Sequence, residues 1–340
     1  MPVNAPTQKI KVAAVHAAPV FMNKKATTEK VIKLIEQAGK EKIELLVFPE
    51  TFVPGYPYWI ECYPPIKQAP ALSQYANESV AVDSDEIKHI QAACRSASVT
   101  INLGISERIA GGFTLFNSQV TIDSDGILLG VHRKLQPTYA ERFVWGQGDG
   151  HTLRNFQTAA GYNLGGLACW EHTMNGARQA LIMDNEHIHA AAWPALSTME
   201  GFEPVADVQI EGLMKAHALT GQVFVICASN PVDDSCLEWM EKNLGPQNSV
   251  KSGGGWSAVV HPFCSFVAGP HTGSEEKFIT GEVDLSQIGF VKVWVDGAGH
   301  YSRPEVLKFS VDRRPLWEDE KRAIAEGTGM KVLPADGEEN

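Results

Sequence analysis

The sequence predicts an α/β fold in which two mixed sheets pack face to face with helices outside. Three observations carry that expectation. Strand and helix patterns alternate over the first 105 residues; a hairpin signal stands between residues 116 and 132; and the second half holds too many near-continuous apolar segments for one small sheet.

Taken in order, residues 10–17 are apolar and β-branched, and Val31, Leu34, Ile35 and Ala38 follow at the spacing of one helix face. Residues 43–48 read as a buried strand ended by Pro49. Asp83, with Glu86 three residues on, resembles a capping box before Ile87, Ile90 and Cys94, and residues 99–105 then read as a strand. Between residues 116 and 132 two strand-like stretches flank Asp123-Ser124-Asp125-Gly126, whose Asp-Gly end marks a tight turn between antiparallel strands. Further strands are expected at 164–169, 187–192, 223–228, 256–261, 264–268 and 278–283, with a helix over about 205–219. The Pro-rich stretch 54–70 and the polar stretch 233–255 look like surface insertions, and 336–340 like a frayed tail. The expectation is one domain over residues 1–310, with 311–340 as a C-terminal extension or tail.

The chain has 40 acidic and 29 basic residues, a formal charge of -11, which argues against a nucleic-acid or anionic-membrane partner and is compatible with a small neutral substrate. Its six cysteines are scattered, without zinc-type spacing. No signal-like segment or membrane-length apolar run is present in the sequence, so free thiols and a cytoplasmic location are expected.

Three reactive side chains stand where predicted strands end: Glu50 after Phe48-Pro49, Lys134 after the hairpin, and Cys169 after Leu164-Gly165-Gly166-Leu167-Ala168. Strand ends are where α/β proteins gather their sites. Singly, each has an ordinary explanation: an inert buried thiol, a solvated loop carboxylate, a surface cation. Together they have a chemistry. A thiol needs a neighbouring base or charge to become nucleophilic, a glutamate in a dry pocket holds protons more tightly and can serve as that base, and an ammonium can meet negative charge as it develops.

The strings around them narrow the reading. Phe48-Pro49-Glu50-Thr51-Phe52-Val53-Pro54-Gly55-Tyr56-Pro57, Arg133-Lys134-Leu135-Gln136-Pro137-Thr138-Tyr139-Ala140-Glu141-Arg142 and Gly165-Gly166-Leu167-Ala168-Cys169-Trp170-Glu171-His172 resemble, in order and spacing, the three signature stretches of the nitrilase superfamily. Cys-Trp-Glu, Pro-Thr-Tyr-x-Glu and Trp145-Gly146-x-Gly148-Asp149-Gly150 resemble the nitrilase branch rather than its amidase or carbamoylase branches. The likeness runs from about residue 12 to Gly299-His300-Tyr301-Ser302-Arg303-Pro304.

That resemblance implies a four-layer α-β-β-α sandwich and hydrolysis of an organic nitrile to carboxylic acid and ammonia, without metal or organic cofactor. It implies Cys169 as nucleophile, Glu50 as base, Lys134 as the cation and Glu141 as a second glutamate. By position, Tyr56, Thr138, Trp145, Trp170 and Trp193 would line the substrate chamber, while His172 departs from the Asn often found after Cys-Trp-Glu. A homo-oligomer built from dimers, extending in some members into spirals, is also implied, with 57–71 and 233–255 as assembly surfaces. Cyanide hydration and amide hydrolysis are the enzymatic alternatives, and a catalytically silent scaffold is the non-enzymatic one.

Other patterns carry less. His187 and His189 alternate on a strand but lack a third ligand nearby in sequence. Ser252-Gly253-Gly254-Gly255 lacks the Lys-Ser/Thr ending of a P-loop, and residues 161–166 lack a GxGxxG pattern.

Overall fold

The computed structural model describes residues 6–327. The chain opens with β1 (Lys9–His16), α1 (Lys24–Lys40), β2 (Leu45–Val47), α2 (Ala69–Glu78), α3 (Asp85–Ala97), β3 (Thr100–Arg108), β4 (Leu115–Ile122) and β5 (Leu128–Arg133). The strands β1, β2 and β3 are parallel, and β4 and β5 continue the sheet antiparallel. The predicted hairpin joins β4 to β5, with Gly126 at φ +81° and its N–H donating to the Asp123 carbonyl.

The second sheet has β6 (Phe156–Gln157), β7 (Asn163–Ala168), β8 (Ile188–Trp193), β9 (Phe224–Ser229), β10 (Ser257–Val260) and β11 (Phe266–His271). Its β7, β8 and β9 are parallel, with antiparallel strands on both flanks. The helices α4 (Asn175–Met183), α5 (Ala206–Gly221) and α6 (Asp234–Leu244) belong to this half. The chain then returns through β12 (Lys277–Asp284), which pairs antiparallel with β1 and closes the first sheet.

Side-chain alternation decides the layers. Val12 and Ala14 of β1, with Leu45 and Val47 of β2, face Leu164, Ile188, Ala190, Phe224 and Ile226 of the second sheet. The alternate residues Ala13, Val15, Leu46 and Phe48 meet Val31, Ile35 and Ala38 of α1 and Ile87, Ile90 and Cys94 of α3. On the far side, Ala191, Val225 and Cys227 meet Ile210, Met214 and Ala218 of α5. The result is the α-β-β-α sandwich expected, with the central strands of both sheets buried on both faces.

Several local expectations are corrected. Helix α3 is capped by Ser84, whose hydroxyl accepts from the Ile87 N–H, and not by Asp83. The strand expected at 264–268 begins at Phe266, because Cys264 sits in a turn at φ +66°. Stretches 54–70 and 233–255 are not surface insertions. Tyr58, Trp59 and Ile60 are buried, and α6 buries Cys236, Met240 and Leu244, spaced four apart on one helix face, with Leu237 and Trp239 half-buried beside them. Average polarity hid that stripe. Trp59 and Trp239 meet at 5.2 Å, so the two segments pack on each other.

Residues 311–327 lie against the domain. Arg313 bonds to the Leu153 carbonyl at 2.6 Å and to Asp184, and the Trp317 indole donates to the Gln147 carbonyl at 3.0 Å. The expected tail at 336–340 is outside the described residues. Among those residues, no helix is long and apolar enough to cross a membrane.

Candidate active site

Glu50, Lys134 and Cys169 leave β2, β5 and β7 at their C-terminal ends, and the two-sheet packing brings these ends together. The loops are braced by close backbone contacts. A Cβ on Gly104 of β3 would stand 2.2 Å from the Pro49 carbonyl oxygen, and one on Gly148 would stand 2.1 Å from that of Arg133. Glycine at these two places lets the chain press against the turns that carry Glu50 and Lys134.

Lys134 is the hub. Its ammonium donates to Glu50 Oε1 at 2.8 Å and to Glu141 Oε2 at 2.7 Å, leaving a third N–H for a ligand. Glu141 sits in the turn Tyr139–Phe143, where it forms a capping box with Thr138, accepts from the Thr138 N–H at 2.8 Å, and accepts from the Tyr56 hydroxyl at 3.1 Å. Cys169 Sγ and one oxygen of each glutamate lie within 4.8 Å of one another. All four side chains are buried, with Cys169 having no exposed surface. A cation could bind such donors, but the Lys134 ammonium already bridges the two carboxylates.

The two oxygens of Glu50 differ. Oε1 takes Lys134 and, at 2.6 Å, the Asn117 amide of β4, whereas Oε2 has no partner among the described residues. Burial pushes the Glu50 carboxyl up, Lys134 pulls it down and Glu141 pushes it up again, to about 7. Burial and the charge of Glu50 hold the Cys169 thiol well above its ordinary value, against the opposing pull of Lys134. Lys134 is stabilised as a cation: the two glutamates more than offset the burial that disfavours its charge. The resting set is therefore a neutral thiol beside a carboxylate poised to take its proton.

Cys169 has φ +53°, a left-handed conformation that costs a non-glycine residue about 1–3 kcal/mol and needs surrounding contacts to persist. One such contact comes from Glu171. Its carboxylate accepts from the Ala168 N–H at 3.0 Å, the Leu135 N–H at 2.8 Å and the His132 ring at 3.0 Å, tying the cysteine turn to the lysine turn. Burial raises the Glu171 carboxyl, but His132 and the two amides hold it below the usual carboxylate range.

The five expected chamber residues fall in different places. Tyr56 touches Glu141 directly, and Thr138 is half-buried at the head of the same turn. Trp145 is buried against Tyr56, its indole N–H donating to Ser106 at 3.0 Å. Trp170 is half-buried; Trp193 is fully buried, edge-on to Trp170 at 6.1 Å and stacked on His172 at 5.3 Å. A cleft of about 250 Å³, lined by Glu61, Cys62, Met199, Glu200, Ser249 and Val250, opens nearby. Burial and the negative charge of Glu141 both raise the Glu61 carboxyl, which lines this cleft.

Reasoning from sequence missed Asn117 and the bracing role of Glu171. Asn117 had a signal: it opens a polar run, Asn117-Ser118-Gln119, inside a strand that is otherwise apolar. The histidine pair separates. His187 accepts from the Asn163 N–H, whereas His189 joins Glu186 and His217 in a second buried group with ligand-type atoms within 4.8 Å. Both Glu186 oxygens are engaged by imidazole nitrogens at 2.7 and 2.8 Å, so the carboxylate is already bridged by the two rings.

With this geometry established, comparison with known proteins is informative. The sequence pattern of the carbon-nitrogen hydrolase family matches residues 11–293. An aliphatic nitrilase of Rhodococcus rhodochrous is 34% identical over 312 residues, covering 91% of this chain and 84% of that protein. An arylacetonitrilase of Aspergillus niger is 35% identical over 309 residues, covering 90% of both. The crystal structure of a carbon-nitrogen hydrolase from Helicobacter pylori G27 superposes with a TM-score of 0.69 at 21% identity, covering 89% of this chain and all of that one, a likeness of fold. Family pattern, extended similarity and architecture agree, and the chain belongs to the carbon-nitrogen hydrolase family, in its nitrilase branch.

Proposed function

We propose that this chain hydrolyses an organic nitrile to the carboxylic acid and ammonia, with Cys169 as nucleophile. The observation that carries the reading is the Lys134 ammonium bridging two buried glutamates beside a neutral thiol, with Glu50 Oε2 free to accept a proton. The names of the relatives, aliphatic nitrilase and arylacetonitrilase, support it.

In the first step Sγ bonds to the nitrile carbon while its proton passes to Glu50 and on to the nitrogen, giving a thioimidate. The free donor of Lys134 meets the charge that builds on nitrogen. Glu141 keeps the ammonium in place and balances its charge. Glu50 then takes a proton from water as the oxygen adds to the thioimidate carbon; the C–N bond breaks, ammonia leaves, and a thioester remains. A second water cleaves the C–S bond, returning the thiol and the acid. If the sulfur leaves before nitrogen does, the product is the amide. Two waters are consumed, and no step needs a metal or organic cofactor.

Tyr56, Thr138, Trp145, Trp170 and Trp193 would wall the chamber, an apolar lining with few polar anchors that suits a small nitrile. The cleft lined by Glu61 is the route of entry we favour, since that carboxyl feels the charge of Glu141. Assembly into a homo-oligomer of dimers, up to a spiral, is supported by exposed apolar side chains at Phe290, Val293, Trp294, Tyr301 and Leu307. Six free cysteines accord with a cytoplasmic location.

The test is ammonia release from aliphatic, arylaliphatic and aromatic nitriles, cyanide and amides. The wild-type protein should turn over at least one organic nitrile, and Cys169→Ala should lose at least about 10⁴-fold in rate with an unchanged circular dichroism spectrum. Acid production by Cys169→Ala would remove the nucleophile from the scheme, and turnover of amides or cyanide alone would remove the nitrile.

A further inference from the structure

Behind Cys169 a line of buried polar groups leads away from the reacting atoms. His172 Nδ1 lies 2.7 Å from the Cys169 carbonyl oxygen, and His172 Nε2 lies 2.9 Å from His189 Nε2. His189 Nδ1 is 2.7 Å from Glu186 Oε1, and Glu186 Oε2 is 2.8 Å from His217 Nε2. None of these four side chains has more than a trace of exposed surface. The path is built rather than incidental: a Cβ on Gly165 would stand 2.0 Å from Glu186 Oε1, so β7 leaves the room that this carboxyl fills.

Donor and acceptor rules fix the protons. A carbonyl oxygen only accepts, so His172 carries its proton on Nδ1 and, as a neutral ring, offers a lone pair at Nε2. His189 must then donate from Nε2. Its other nitrogen faces Glu186, and either Glu186 is protonated or His189 bears both protons. Burial raises the Glu186 carboxyl, but His189 and His217 outweigh it and bring it down to about 2. With Glu186 ionised, the hydrogen bonds run from carboxylate through a His189 that donates from both nitrogens to a neutral His172 and the carbonyl. The other charged and titratable groups around it are Arg178 of α4, which disfavours charge on His172, and His217 of α5, whose Nδ1 has no partner among the described residues.

The peptide at the end of the line joins it to the sulfur. Its oxygen is the Cys169 carbonyl, and its N–H belongs to Trp170, whose amide favours the ionised sulfur. A donor on the oxygen polarises a peptide and strengthens its N–H. We propose that Glu186, His189 and His172 are positioning residues for the nucleophile: a charged hydrogen-bonded line that holds the left-handed Cys169 backbone and, through the Cys169–Trp170 peptide, strengthens the amide donor facing the sulfur. This rests on Cys169 being the nucleophile, as proposed above.

The experiment compares His172→Ala, His172→Asn and Glu186→Gln with the wild type. His172→Ala removes the donor on the carbonyl and should lower kcat about 10- to 100-fold with KM within about threefold. Asn keeps an amide donor three residues from the carbonyl and should recover most of that loss. Glu186→Gln keeps the shape but not the charge; iodoacetamide alkylation of Cys169 should then need a pH higher by roughly half a unit or more. A kcat for His172→Ala within twofold of wild type, while Cys169→Ala is inactive, overturns the relay and leaves the nucleophile standing; activity in Cys169→Ala overturns the nucleophile itself. An unchanged alkylation profile in Glu186→Gln also overturns the relay. Should the variants fail to fold, ¹⁵N-histidine spectra of the wild type at pH 7 decide: both nitrogens of His189 protonated and only Nδ1 of His172 supports the line, and a bare nitrogen on His189 overturns it.

Discussion

Arg133 and Lys134 are neighbours in sequence and both are buried, yet they enter opposite surroundings. Arg133 makes a two-point pair with Glu107 at 2.5 and 3.0 Å, reaches Asp319 at 2.6 Å and Glu320 at 2.9 Å, and lies 4.1 Å over the Phe116 ring. Glu107 is saturated, since Ser118 takes a further place on it at 2.6 Å. Lys134 instead holds Glu50 by one oxygen and leaves the other bare. The first cluster occupies every donor of Arg133 and both oxygens of Glu107, and ties residues 319 and 320 to the sheet. The second keeps a spare donor, a spare acceptor and a thiol in one chamber. Around Arg133 the filled guanidinium fastens the fold, whereas around Lys134 an open donor and an open carboxylate oxygen stand beside a thiol.

The largest expected effect tests that contrast directly. Lys134→Met should lower kcat by about 10³-fold, since the two carboxyls can take up protons and remain buried while the cation is lost. Arg133→Met should keep activity per folded molecule within about threefold but lose roughly 3–5 kcal/mol of stability, because it strands Glu107 without its partner. Urea unfolding with activity titration separates the two; matched losses of activity at unchanged stability would erase the distinction. Next in size, Glu141→Gln should cost roughly 100-fold in kcat without altering the melting profile, and wild-type turnover would reduce Glu141 to a structural anchor.

The smallest effect is a shift in pH dependence. In the proposed mechanism Glu50 takes the Cys169 proton only when ionised, so kcat/KM should climb as pH rises through about 7, the value to which burial raises this carboxyl. The Asn117 bond favours the ionised form, so Asn117→Leu should move the acid limb upward by roughly half to one unit. A downward move would mean that another group controls the limb.

Much of this was legible before any coordinates. Pro49 ending one apolar run and Cys169 ending another put two reactive groups at strand ends, and the seven-residue step from Lys134 to Glu141 spans the turn that brings both side chains together. The Thr138–Glu141 spacing even carries the capping signal that holds the second glutamate. The buried stripe on α6 was passed over because the segment 233–255 is polar as a whole, although Cys236, Met240 and Leu244 carry the four-residue spacing of one helix face.

Local order, by itself, determined the alternation of strands and helices, the hairpin, and which side chains stand at strand ends, because these follow from side-chain periodicity and turn chemistry within a few residues. Tertiary structure alone decided that Asn117 meets Glu50, that Glu171 ties two loops together, and that Glu186 and His189 stand behind Cys169. Those contacts depend on strand register and on one sheet facing another. In β7 and β8, Gly165 pairs with His189, and a slip of one residue would turn the imidazole to the opposite face.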